Sequence, residues 1–132
     1  ETGAGLIGCE YATIYAAMGV KVYLINNRDR ILPFLDSEIS EALVRQMKNQ
    51  GIEILFNTSI AKYTKPGLKK DPVLLTLKNG AELQTDMVLY AAGRSGNIKG
   101  LNCDDAGVLT GERETIIVNE NYRTNVPNIY AV

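Results

Sequence analysis

Near its start the chain carries Gly3-Ala4-Gly5-Leu6-Ile7-Gly8, three glycines in the spacing G-x-G-x-x-G. That spacing suits a backbone that must turn out of a strand, meet a pyrophosphate closely and begin a helix packed on a sheet. Gly3 is expected to make the turn. Gly5 would admit the phosphates with no Cβ in the way, and Gly8 would let the helix approach the sheet. Free N–H groups at the helix start, with the helix dipole, would then hold the negative charge. Glu10 follows in the first turns of that helix, close to the cleft. A carboxylate near a helix start is favoured by the dipole without any function, and the sharper expectation is a contact with the nucleotide. Cys9 beside it reads as a packing residue.

A second group stands where the next strand ends: Asn26-Asn27-Arg28. An acid there would bind the ribose 2′-hydroxyl of NAD. A neutral Asn26 need not repel a 2′-phosphate, and the guanidinium of Arg28 is a fork suited to phosphate. These residues lean away from strict NAD use and tolerate NADP. Arg28 also reads as a solvated loop charge near Asp29 and Arg30.

Composition removes other chemistries. The 132 residues contain no histidine, which excludes histidine acid–base catalysis, His-ligated zinc and a Ser-His-Asp triad. Cys9 and Cys103 form no CxxC, so no thioredoxin-type motif or four-cysteine metal site can be built. They are expected to be reduced thiols of a cytoplasmic protein. Fourteen basic against fifteen acidic residues leave a net charge of −1, without the basic excess of nucleic-acid binders. There is no apolar run of transmembrane length. The 45% hydrophobic content can supply a core for one domain over residues 1–132.

The elements that must position these residues follow from periodicity. Ile7, Tyr11, Ile14, Tyr15 and Met18 share one face of a helix that Gly19 stops. Val20–Ile25 reads as a buried strand. A helix fits Asp36 to Gln50, with Asp36 or Ser37 as N-cap and Ile39, Ala42, Leu43 and Met47 on one face. Gly51 ends it, and Ile52–Phe56 is a strand. This alternation builds a parallel sheet. Ile60–Lys65, Val73–Lys78 and Glu82–Thr85 then read as short strands joined at Pro66-Gly67 and Asn79-Gly80, an inserted antiparallel meander. Met87–Ala92 reads as a buried strand, with further strands near Thr115–Val118 and Ile129–Val132. The expected fold is α/β, a Rossmann-like parallel sheet with helices and an inserted antiparallel β meander. Only Glu1 and Thr2 precede Gly3, so the first strand of such a unit is expected to be largely missing. The chain therefore reads as a piece of a larger protein, and its exposed apolar edges would make the isolated piece self-associate or be less stable than within its parent.

The combination of Gly3–Ala12, of Asp29-Arg30-Ile31-Leu32 with Asp36, and of Ala91-Ala92-Gly93-Arg94 with Asn97 resembles the flavin-dependent pyridine nucleotide–disulfide oxidoreductases, most closely their soluble transhydrogenase branch. The resemblance implies an NAD(P)-binding domain within a protein that also holds an FAD domain and a dimerisation domain. It implies that Gly3, Gly5 and Gly8 carry the pyrophosphate turn, with Leu6 beside the nicotinamide pocket and Ile7 among the cofactor-binding residues. Glu10 would contact the nicotinamide carboxamide. Asn26, Asn27 and Arg28 would select the adenine ribose, and Gly93 with Arg94 would lie along the cofactor. No catalytic acid, base or metal ligand is implied in this chain. The parent would be a homodimeric flavoprotein passing hydride between NADPH and NAD through FAD, with no nucleic acid or membrane partner. The alternative is the NAD-binding domain of a dihydrolipoamide dehydrogenase or a related disulfide reductase. NAD-dependent relatives carry glutamate where this chain has Asn26, and glutathione reductase carries arginine where it has Asn27.

Overall fold

A computed structural model describes residues 3–64, 67 and 71–132. The expected end of the third strand at Lys65 and the Pro66 half of a turn lie outside the described residues. The chain divides into two compact units, Glu1–Gly93 and Arg94–Val132.

In the first unit, helix α1 spans Leu6–Ala17 and α2 spans Ser37–Asn49. Both stop by the same local device. After α1, Gly19 N–H donates to Ala16 O and Val20 N–H to Tyr15 O. After α2, Gly51 N–H donates to Lys48 O and Ile52 N–H to Met47 O. These pairs close the last carbonyls and require a left-handed residue just past the cap. Gly19 (φ +82°) and Gly51 (φ +86°) supply it.

Strand β1 (Tyr23–Ile25) pairs in parallel with β2 (Glu53–Leu55), Leu24 opposite Ile54. Strands β3 (Ile60–Thr64), β4 (Val73–Leu77) and β5 (Glu82–Thr85) form an antiparallel meander in that order. The α/β class and the meander are thus as the sequence predicts. Successive residues of β1 face opposite sides. Leu24 joins the core under the helices with Ala4, Cys9, Ala12, Ile31, Leu32, Met47 and Ile52. Ile25 joins a second cluster with Leu75 and Leu77 of the meander. Full burial of such an aliphatic side chain stabilises by about 1.5–3 kcal/mol.

Gly8 and Cys9 pack as the sequence predicts, but the apolar faces read from periodicity are not the buried faces throughout. The α1 stripe of Ile7, Tyr11, Ile14 and Met18 is exposed, and the helix packs through Gly8, Cys9 and Ala12. Small residues let the helix come close, and that close approach outweighs side-chain size. On α2 the buried residues are Ser40 and Met47, with Leu43 and Val44 packed on the core, while Ile39 is exposed.

Other expected strands are shorter or absent among the described residues. Val20–Val22 precede β1 without joining it. Met87–Ala92 forms no ladder, and Met87 and Tyr90 are largely exposed. An extended segment becomes a strand only where a neighbour takes its N–H and C=O groups. Here a groove of about 620 Å³, lined by Val20, Val22, Leu24, Met87, Val88 and Leu89, separates the segment from β1.

In the second unit the expected strands near Thr115–Val118 and Ile129–Val132 reduce to single bridges, Thr110 with Ile116 and Arg123 with Tyr130. Backbone bonds between its loops, such as Ile117 N–H to Leu109 O and Ala131 N–H to Tyr122 O at 3.0 Å, are joined there by side-chain bonds. The Asn125 amide donates to Gly107 O at 2.7 Å and its Oδ1 accepts from Leu109 N–H at 2.9 Å. The Thr124 hydroxyl meets Ile129 O and Val126 O at 2.9 and 3.1 Å.

Candidate functional site

The glycine turn is built by close backbone contacts. A Cβ on Gly3 would fall on the carbonyl of Ala91, and a Cβ on Gly8 would fall on the carbonyl of Gly3. At Gly5 an added Cβ would meet nothing within 4 Å. Gly3 and Gly8 are therefore small because protein lies against them. Gly5 faces open space, where only something outside the unit would gain from the missing side chain. Gly5 is also the N-cap of α1 and has no side-chain cap bond. The first N–H to close within the helix is that of Cys9, which donates to Gly5 O at 3.0 Å. The N–H groups ahead of it have no intrahelical acceptor. No acidic side chain occupies that first turn, so the positive end of the dipole is unopposed.

The turn is tied to the loop after β1. Leu32 N–H donates to Ala4 O at 3.4 Å, and the Cys9 thiol approaches the same oxygen at 3.7 Å. Leu32 holds φ +42° and is 4% exposed, an unusual conformation for a bulky residue. Its N–H bond, its burial and the Ser40 hydroxyl on its carbonyl keep it there.

The predicted site residues fall into distinct environments. Leu6, Ile7 and Glu10 are exposed around the start of α1. Asn27 and Arg28 are exposed on the loop, whereas Asn26 is buried at the end of β1. Gly93 is the exposed last residue of the first unit, and Arg94 begins the second. Sequence reasoning missed the structural part of Ala4, Leu32 and Ala91. A signal existed for Ala91: the Ala91-Ala92-Gly93 run is small enough for backbone to approach.

The arrangement can bind but offers little acid–base chemistry. Burial, and secondarily the Glu10 carboxylate, push the Cys9 thiol up from its ordinary value of 9.0 to about 11. At neutral pH it is a buried thiol and not a nucleophile. Among the described residues no cluster of His, Cys, Asp or Glu could hold a metal ion, and no helix is long and apolar enough to cross a membrane. What remains is an open glycine at an uncapped helix start, with a guanidinium on the loop that follows the same sheet.

Comparison with known proteins gives this geometry a context. Residues 2–132 match the family described as pyridine nucleotide-disulphide oxidoreductase. The chain is 45% identical over 130 residues to a soluble pyridine nucleotide transhydrogenase of Vibrio cholerae, covering 98% of this chain and 27% of that protein. It is 46% identical over 130 residues to the protein of the same name from Klebsiella pneumoniae, with the same coverage. The chain thus spans about a quarter of the length of these relatives. Among solved structures, an HOCl-induced flavoprotein disulfide reductase from Escherichia coli superposes with a TM-score of 0.84 at 27% identity, covering 98% of this chain and 28% of that one.

Proposed function

The chain belongs to the pyridine nucleotide-disulphide oxidoreductase family, and on that premise we propose that it is the NAD(P)-binding domain of a flavoprotein that moves hydride between NADPH and NAD. The observation that carries the reading is Gly5: an open glycine at the uncapped start of α1, in a turn whose other two glycines are packed against backbone. A pyrophosphate placed there would accept from the free N–H groups of the first turn and feel the positive end of the dipole. Glu10, exposed on the same helix, would take the nicotinamide carboxamide. Leu6 and Ile7 would give its ring an apolar wall, and Gly93 and Arg94 would line the path of the cofactor. Arg28 can pair with a 2′-phosphate, and no carboxylate stands at Asn26 to reject one.

The redox capacity belongs to FAD, which would be held by other parts of the whole protein and accept and return the hydride. This chain's work is to bind and orient. It holds the dinucleotide by backbone N–H groups, fixes the nicotinamide face through Glu10, and accepts NAD and NADP in turn at one site. We infer that in the whole, homodimeric protein an extended apolar strand lies in the groove between Val20–Leu24 and Met87–Leu89. It would complete the sheet under the turn. Thiols expected to be reduced and the soluble relatives support a cytoplasmic setting.

A second reading is favoured by the disulfide reductase among the structural neighbours. The same domain would then serve a dihydrolipoamide-type or other disulfide reductase. A CxxxxC pair elsewhere in the whole protein would select it.

The test is a titration with NADH and NADPH followed by nicotinamide fluorescence, with Gly5→Asp as control. Asp is a good N-cap, so the fold should persist while its charge opposes the pyrophosphate. Comparable binding of both nucleotides, lost in the variant, is expected. A strong preference for NADH moves the reading to a lipoamide-type dehydrogenase, and binding untouched by Gly5→Asp removes the turn from the site.

A further inference from the structure

The end of β1 carries an asparagine whose environment does not suit a ligand-facing role. Asn26 is 4% exposed. Its Nδ2 donates to Arg28 O at 3.3 Å and to Arg30 O at 2.9 Å. Only the amide nitrogen can donate to two carbonyls, so chemistry fixes which end of the side chain faces them. The backbone of Asn26 is committed as well: its N–H donates to Leu55 O at 2.8 Å and its carbonyl accepts from Thr58 N–H at 3.0 Å. Arg28 O takes a further N–H, from Asn57, at 3.1 Å. The Arg30 guanidinium reaches the carbonyls of Pro33 and Leu35, which holds the far side of the loop. Asn27, Arg28 and Asp29 are left exposed on a segment whose carbonyls are pinned from beneath.

We propose that Asn26 is a positioning residue: by holding the carbonyls of Arg28 and Arg30 it fixes the loop that presents Asn27 and Arg28 to the adenine ribose, and those two exposed side chains choose between NADH and NADPH. The proposal rests on the dinucleotide-binding reading above and names the residues that set its specificity. It also gives a reason for an amide at the end of β1. A carboxylate of the same size would set its oxygens against two carbonyl oxygens and hold neither.

Asn26→Asp separates the two roles, because they predict opposite signs. A positioning residue loses its donors when replaced by an ionised carboxylate. At pH 8 the whole protein carrying Asn26→Asp should bind NADPH about tenfold more weakly and NADH more weakly by a smaller factor, since the displaced Arg28 serves only the 2′-phosphate. A buried carboxylate facing carbonyls has a raised pKa, so acidification protonates it and restores one O–H donor. The defect should therefore shrink at pH 6. Arg28→Ala should weaken NADPH about tenfold more than it weakens NADH. If Asn26 itself read the ribose, Asn26→Asp would tighten NADH and weaken NADPH at pH 8, and acidification would erase that gain; this result overturns the proposal. Asn26→Ser, which keeps one donor and adds no charge, guards against misfolding. It should weaken NADPH less than Asp does, and NADPH binding untouched in both variants also overturns the proposal. An unsubstituted protein that binds neither cofactor overturns the dinucleotide reading and this proposal together, whereas normal binding by the parent with NADH tightened, or NADPH unaffected, in Asn26→Asp overturns this proposal alone.

Discussion

Gly5 and Gly8 are three residues apart in one motif, yet substitution should damage different things at each. At Gly8 an added Cβ collides with the carbonyl of Gly3, backbone against backbone, so a side-chain rotation cannot relieve it. Overpacking of this kind costs about 1–3 kcal/mol, and a rigid contact belongs at the upper end. Alanine gains up to about 1 kcal/mol in helix propensity over glycine. Gly8→Ala should therefore lose about 2 kcal/mol net, or roughly 8 °C in Tm for a chain of this size. At Gly5 the backbone (φ −78°, ψ −174°) is open to any residue, and nothing lies within 4 Å of a Cβ. Serine caps a helix a few tenths of a kcal/mol better than glycine, so Gly5→Ser should melt within about 2 °C of the parent. Its side chain would nevertheless fill the space assigned to the pyrophosphate. A 1–3 kcal/mol clash there weakens binding roughly 5- to 150-fold. Thermal melting by circular dichroism and NADH and NADPH titrations on the same samples measure both. Unchanged affinity in Gly5→Ser would refute the placement of the phosphates, and a Gly8→Ala protein as stable as its parent would refute the packing argument.

Other outcomes follow from the same contacts. With Cys9 held as a buried thiol up to about pH 11, a thiol-directed reagent at pH 8 should modify Cys103 fast and Cys9 only on unfolding, as peptide mapping would show. Since folding raises the Cys9 pKa, the folded state binds more protons between pH 9 and about 11. Stability should then fall across that window by at most roughly 1.4 kcal/mol per pH unit, and Cys9→Ala should flatten the loss in alkaline melts. Met47 is fully buried, so Met47→Ala should cost about 2–5 kcal/mol in denaturant titrations, far more than Ile39→Ala on the exposed side of α2. The groove beside β1, with Met87, Leu89 and Tyr90 exposed, should make the isolated 132-residue chain self-associate. Sedimentation should show this rising with concentration and falling in Met87→Lys.

The parts legible in the sequence are those set by local rules. The bounds of α2 follow from its periodicity between Asp36 and Gly51, and β5 follows from alternation beyond the Asn79-Gly80 turn. The glycine spacing and the resemblance it supports lead to the family that the comparisons establish. On α1 the packing parts of Gly8 and Cys9 were legible, but the exposure of the large apolar stripe was not. Periodicity weighs apolar size, whereas the helix is drawn in by its smallest residues. The strand expected at Met87–Ala92 failed for another reason: a strand is a property of a pair, and apolar composition names no partner.

Asn26 shows where the division falls. Its type and place, a neutral amide following β1, are fixed by the sequence and raise the expectation of a ribose contact. The direction of its side chain is decided by carbonyls from Arg28 and Arg30 and by backbone bonds to Leu55 and Thr58, which only the folded chain assembles. The same holds for the three glycines. Sequence alone determined that the turn would be permissive, since glycine lacks a Cβ wherever it occurs. Tertiary structure decided what each absence meets, because that depends on what lies opposite: the backbone of Ala91 and Gly3 for two of them, and open space for Gly5.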